Sequence, residues 1–367
     1  MKVCIVSMQK VPNFGSVLQA YALQHILMSL GHEVEFIDIK KNEADNNLLN
    51  NSKSSLNVEK TDAVKINNRY LWNRIMHKLS YKQQSKIFTS FMHDELKLDE
   101  HRNKNFDICV IGSDEVFNCL NKSTSYGFTS QLFGNVSCAS KVITYAASCG
   151  STTFPELPFL VRNRIQSAMK NISAFSVRDE NTDNFVKELS NTETEINLDP
   201  VLIYDFSSEN RKQSKHIKMP SNACVVYAYG NRISDPEEIN HILAFCSKYD
   251  LQPVAVGSPQ FWIKKYLPVH PFDIGNVFSK AKFVITDTFH GTIFSYKYSS
   301  KFAVLIRESN KNKLRDLVNR LNISNHILCD NDTLEDIYQL EKDWAEVECF
   351  LSNERNKSLE YLRKNTL

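Results

Sequence analysis

Four short clusters in this 367-residue sequence combine residue types that can do chemistry. The first is Asn13-Phe14-Gly15-Ser16, between an apolar run and a helical pattern. A strand–loop–helix junction offers free backbone N–H groups and the positive end of a helix dipole to an anion or a sugar hydroxyl. The plainer reading makes Asn13 a helix cap and Gly15 a point of close approach. The second is Gly112-Ser113-Asp114-Glu115, directly after the apolar run 106–111. Asp114 could take a proton from a hydroxyl, whereas Ser113 or Asp114 could equally be a cap. The third is Ser176-Val177-Arg178-Asp179, whose arginine is a fixed fork of donors suited to phosphate or carboxylate, or else one arm of a salt bridge. The fourth, Thr286-Asp287-Thr288-Phe289-His290-Gly291-Thr292, sets an imidazole suited to proton transfer near neutral pH beside a glycine.

The elements needed to position these clusters are legible around them. Residues 3–7 read as a strand, 16–30 as a helix with a broad apolar stripe ending at Gly31, and 33–39 as a second strand. That is a βαβ unit, the opening of a parallel sheet. Residues 41–65 are polar and patternless and read as an exposed insertion. A helix over 70–91 follows, then strands at 106–112 and 142–147, a helix over 162–171, and short strands at 174–177 and 195–198. Polar residues 207–221 suit a linker. Beyond it strands are expected at 223–229, 253–256, 283–286 and 302–306, with helices over 236–248, 272–279 and 291–298. A charged helical tail begins near Thr333. The alternation predicts two α/β domains, 1–205 and 206–330, followed by a helical tail over 331–367. In such sheets ligands bind beyond the carboxyl ends of the strands, where all four clusters fall.

Composition narrows the class. Lys and Arg number 44 against 42 Asp and Glu, a balance unlike that of a dedicated nucleic-acid binder. Nine singly scattered cysteines without a CxxC pair read as reduced core residues, which points to the cytoplasm. No run of about 18 apolar residues marks a membrane span. No metal-ligand motif such as HExxH is present.

Taken together and in order, NFGSVLQAYAL (13–23), IGSDEVFN (111–118), SVRD (176–179), DPVL (199–202) and TDTFHGTIFS (286–295) resemble the polysaccharide pyruvyl transferase family. The resemblance implies a GT-B-like fold, two Rossmann-like domains facing across a cleft with C-terminal helices packing back. It implies phosphoenolpyruvate as donor substrate, with no cofactor and no metal, and a surface-glycan sugar as acceptor, converted to a pyruvate ketal. By this resemblance Arg178 contacts the donor, His290 donates a proton or stabilises departing phosphate, and Asp114 serves as a base. Gly291 and Thr292 are expected to offer donors to phosphate, and Asn13, Gly15, Ser113, Thr288 and Arg307 to lie at the substrate. A lipid-linked acceptor would bring the enzyme to the inner membrane face, although no amphipathic anchor stands out in the sequence.

One position departs from the pattern. Many members carry an arginine two residues before the histidine, where this chain has Thr288. Arg307 or Arg232 would then have to supply the missing cation. Two rival readings stay open: a glycosyltransferase using a nucleotide sugar, and a non-catalytic glycan-binding protein. The acceptor sugar and the oligomeric state are not legible.

Overall fold

A computed structural model describes residues 1–51, 71–99, 105–121, 124–209, 217–230, 232–329 and 333–367. Two five-stranded parallel sheets organise them. The first contains β1 (Lys2–Val6), β2 (Glu33–Phe36), β3 (Phe106–Ile111), β4 (Ala139–Thr144) and β5 (Ile172–Ala174), in the spatial order β2-β1-β3-β4-β5. Their interior positions are apolar on both faces, as a sheet covered by helices on both sides requires. A short parallel pair, β6 (Ser176–Val177) and β7 (Glu195–Ile196), extends this half. The second sheet contains β8 (Ala223–Ala228), β9 (Gln252–Gly257), β10 (Lys265–Tyr266), β11 (Phe283–Thr286) and β12 (Phe302–Val304), ordered β10-β9-β8-β11-β12.

In the first sheet the chain runs outward from β1 to β2 and then returns to the other side of β1 as β3. In the second it runs from β8 outward and returns as β11. Each sheet therefore has a topological switch point, between β1 and β3 and between β8 and β11. Crevices for ligands open at the carboxyl ends of such strand pairs.

Helix α1 (Phe14–Ser29) joins the halves. It is apolar nearly all round, and every residue from Phe14 to Gln24 is buried. Phe14 meets Tyr227 of β8 at 6.1 Å between ring centroids, and Tyr21 meets Phe272 at 4.9 Å. One apolar cluster consequently runs through α1 from the first sheet to the second. Burying each such aromatic contributes about 1.5–3 kcal/mol. The halves are packed on a shared core, facing each other in the GT-B-like manner the resemblance implies.

Helix α2 (Glu43–Asn51) revises the expected insertion over 41–65. Residues 43–51 form a helix fixed by the buried Asp45, which pairs with Arg164 at 2.7 Å and accepts the Ser130 N–H at 2.7 Å. Residues 52–65 lie outside the described ones. Helix α3 (Leu71–Asp94) follows, then α4 (Phe159–Met169), α5 (Glu180–Ser190) and the single turn α6 (Pro200–Ile203). The second half carries α7 (Pro236–Lys248), α8 (Ile274–Lys280), α9 (Phe289–Tyr298), α10 (Lys311–Arg320) and α11 (Leu334–Gln339).

The final helix, α12 (Trp344–Thr366), returns to the first half. Tyr361 donates to the Thr144 carbonyl at 2.9 Å, Ser358 to Asn197 at 3.2 Å, and Thr366 lies 2.9 Å from the His32 ring. Asp343 caps its first turn through two backbone N–H groups.

Candidate active site

A cavity of about 660 Å³ opens where the two switch points face each other. From the first sheet come the 7–13 loop beyond β1 and Asp114 beyond β3; from the second come Tyr229 beyond β8 and His290 beyond β11. The loop bearing Tyr126 closes one side, held by the Asn46 side chain, which donates to the Tyr126 carbonyl at 3.0 Å and accepts the Phe128 N–H at 3.1 Å.

The 13–16 cluster fills both of its possible roles. Asn13 is the N-cap of α1, its Oδ1 accepting the Ser16 N–H at 2.8 Å, and it lines the cavity. Gly15 lies beneath the His290 imidazole. A Cβ there would come within 2.1 Å of Nδ1, so the ring can sit flat against α1 only because position 15 lacks a side chain.

Asp114 faces the cavity with a left-handed backbone, φ 72°. Its Oδ2 accepts from the Ser16 hydroxyl at 2.8 Å, and Oδ1 lies 3.6 Å from Arg178. His290 faces the same space, its Nε2 3.4 Å from the Asp199 carboxylate. Behind both lies Asp199, fully buried, whose Oδ2 also accepts from Arg178 at 3.0 Å and from Ser113 at 3.4 Å. Asp199 is thus the shared partner of a chain running Asp114–Arg178–Asp199–His290. Burial pushes its carboxyl up, but His290 and Arg178 outweigh that and hold it at about 2.

Several residues expected at the substrate stand behind the cavity wall. Arg178 is buried, its side chain 2% exposed, with its guanidinium 4.0 Å over the Phe289 ring and engaged by two carboxylates. Ser113 is fully buried and donates to the Ala146 carbonyl at 3.0 Å. Thr288 caps α9 by accepting the Gly291 N–H at 2.9 Å. Thr292 returns its own N–H and hydroxyl to the Thr288 carbonyl, each at 3.0 Å. The phosphate donors expected of Gly291 and Thr292 are therefore occupied within the helix's first turn. The Gly291 Cα is itself enclosed, a Cβ there falling 2.0 Å from Thr286 Oγ1.

The expected replacement cations are also engaged elsewhere. Arg307 pairs with Glu238 at 2.6 Å and lies 3.8 Å from Asp287, while Arg232 lies 3.7 Å from the same carboxylate. Burial raises Asp287 to about 6 despite these two arginines. Neither arginine borders the cavity. The side chains that do bring positive charge to its wall are Lys10 and Lys41.

Sequence reasoning passed over six contributors, the cavity-lining Lys10 and Lys41 among them. Asp199 stood in the quoted DPVL run but carried no role there. Ser16 was visible in the first cluster, and its serine three residues from an N-cap was a usable signal. Glu115 pairs with Lys313 of α10 across the two halves; burial raises its carboxyl, yet Lys313 and Asn118 bring it down to about 2. Tyr229 had no local signal beyond its place at a strand end. Among the described residues no group of three His, Cys, Asp or Glu could hold a metal ion.

A family model described as "Polysaccharide pyruvyl transferase" matches residues 13–309. No curated protein matches the chain. Among solved structures, the UDP-GlcNAc 2-epimerase of Methanocaldococcus jannaschii is similar at 12% identity, covering 99% of both chains with a TM-score of 0.49. The UDP-GlcNAc 2-epimerase of Neisseria meningitidis bound to UDP-GlcNAc is similar at 13% identity, covering 100% of both with a TM-score of 0.47. A glycotransferase of kitacinnamycin follows at 11% identity, covering 98% of this chain and 94% of its own, with a TM-score of 0.42.

Proposed function

Because the chain belongs to the polysaccharide pyruvyl transferase family, we propose that it transfers pyruvate from phosphoenolpyruvate to two hydroxyls of a glycan sugar, forming a ketal and releasing phosphate. The observation that carries this reading is the convergence of His290 and Asp114 on one cavity, each from the switch point of a different sheet.

The reaction asks for an acid, a base and a cationic wall. A proton added to the donor's methylene carbon leaves the neighbouring carbon electrophilic, and a sugar hydroxyl bonds to it while losing its own proton. The carbon–oxygen bond to phosphate then breaks, phosphate leaving with both bonding electrons, and the second hydroxyl closes the ring. Two hydroxyl protons are lost, one replacing that given to the methylene and one ending on phosphate.

His290 suits the acid. Asp199 stands at 3.4 Å to stabilise the imidazolium, and Gly15 fixes the plane of the ring. Asp114 suits the base: its Oδ2 accepts from the Ser16 hydroxyl at 2.8 Å and its Oδ1 lies 3.6 Å from Arg178. Arg178 positions these two groups from behind, and Lys10 and Lys41 are the cations that meet the donor's phosphate and carboxylate. On this reading its partner is a saccharide or lipid-linked saccharide acceptor.

The test is ligand-induced thermal stabilisation with phosphoenolpyruvate set against a panel of nucleotide sugars. Donor at about 100 times its dissociation constant adds roughly 2.7 kcal/mol, a readily measured rise in Tm. A rise with phosphoenolpyruvate that Lys41→Ala weakens supports the reading. A rise with a nucleotide sugar alone would replace pyruvyl with glycosyl transfer.

A further inference from the structure

Helix α3 wears its polarity inside out over residues 72–84. Asn73, His77 and Gln84 point inward: Asn73 donates to the Phe261 carbonyl at 3.0 Å, His77 is buried near Phe261 and Tyr266, and Gln84 exchanges two hydrogen bonds with Val269. The apolar residues point outward. Trp72, Ile75, Met76 and Leu79 are 78%, 49%, 55% and 64% exposed. Their spacing of i, i+3, i+4 and i+7 gathers them into one stripe on one face. A helix that faced only water would carry this pattern the other way round.

The charge beside the stripe indicates what covers it. Lys78, Lys82 and Lys86 recur every four residues along one edge, all exposed, and no acidic residue occurs on the helix before Asp94. A tryptophan-bearing apolar face flanked by basic residues alone matches an anionic lipid interface, where the apolar side chains enter the acyl boundary and the lysines meet headgroup phosphates. A protein partner would more usually answer with mixed charge.

The basic edge also leads toward the active site. Lys86 and Lys10 line one groove, and Lys10 lines the cavity that holds Asp114 and His290.

We propose that the outer face of α3 is a membrane-docking surface, seating the protein on anionic lipid so that the groove past Lys86 and Lys10 opens from the membrane to the cavity. It goes beyond the proposed transfer reaction and does not depend on it. No helix among the described residues is long and apolar enough to cross a membrane, so the contact is peripheral.

Vesicle co-sedimentation of the full chain tests it without donor or acceptor. The protein should sediment with equimolar phosphatidylcholine and phosphatidylglycerol and far less with phosphatidylcholine alone, and added salt should release it. Trp72→Ser/Leu79→Ser should abolish sedimentation with Tm unchanged, because both side chains are exposed. Lys78→Gln/Lys82→Gln should weaken it about 30-fold, at about 1 kcal/mol for each lysine. No sedimentation with anionic vesicles, or equal sedimentation by Trp72→Ser/Leu79→Ser, would overturn the proposal. So would a concentration-dependent dimer in light scattering that Trp72→Ser/Leu79→Ser dissolves, since a second copy would then be what covers the stripe.

Discussion

The imidazole of His290 rests on the Cα of Gly15, so closely that a single added carbon would lie 2.1 Å from Nδ1. A residue at the start of one half's first helix thereby sets the ring plane of a residue from the other half. Gly15 lies in the first turn of α1, where replacing glycine by alanine ordinarily favours the helix by up to about 1 kcal/mol. Here the clash opposes that gain. Gly15→Ala should displace the imidazole and lower kcat by about 100-fold, the scale of a 1 Å misplacement of a catalytic group. Adding His290→Ala should restore the helical gain in stability without restoring activity. Denaturant unfolding of both variants checks the coupling; equal stability changes for Gly15→Ala in both backgrounds would refute it.

Asp199 gives a pH signature. Its carboxyl falls from an ordinary 3.8 to about 2 in the folded chain, burial raising it and His290 with Arg178 lowering it further. A depressed folded value means that the unfolded chain takes up the proton first as pH falls. The associated stability is full above pH 3.8 and is lost as pH drops toward about 2. Asp199→Asn should remove this loss from a pH series of urea unfolding. At pH 7 it should cost roughly 3–5 kcal/mol, because Arg178 is left buried with one carboxylate fewer.

Much of the frame was legible before the fold was known. Short apolar runs and helical stripes are local signals, and they placed β1, α1, β3 and β11 with the polar clusters at their ends. What stayed hidden depends on partners distant in sequence. Arg178 was readable as a cation, but not as one engaged by Asp199 and stacked on Phe289, since neither contact leaves a mark near position 178. Helix α2 is nine residues long, and Asp45, the group that anchors it, finds its partner at Arg164. For α3 the sequence marked a helix alone; packing against 261–269 revealed that its polar face is the inner one.

Thr288 offers a direct test of the departure from the family pattern. Its hydroxyl accepts the Gly291 N–H at 2.9 Å and it is almost fully buried. Thr288→Arg, which installs the residue the family resemblance leads one to expect there, should lose the cap and find no room for a guanidinium. The expected outcome is a loss of about 1–2 kcal/mol with no gain in donor affinity, read from Tm with and without phosphoenolpyruvate. Tighter donor binding would show that the cavity wall rearranges to admit the arginine.

The cationic wall makes the last prediction. Lys10 and Lys41 are exposed, and Lys10 also pairs with Asp38 at 2.7 Å. In water such charges contribute modestly, about 0.2–1 kcal/mol each. Removing one should weaken a bound anion by several-fold at most. On the proposed reading they meet the donor rather than the reacting carbon, so Lys41→Ala should raise KM for phosphoenolpyruvate and leave kcat nearly unchanged, the signature of lost uniform binding. Added salt should raise the wild-type KM and affect the variant less. Lys10→Ala should do less than Lys41→Ala, since Asp38 already answers part of its charge. Phosphate release measured over a range of donor concentrations separates these cases. A fall in kcat with KM unchanged would move the lysine from holding the donor to stabilising the transition state.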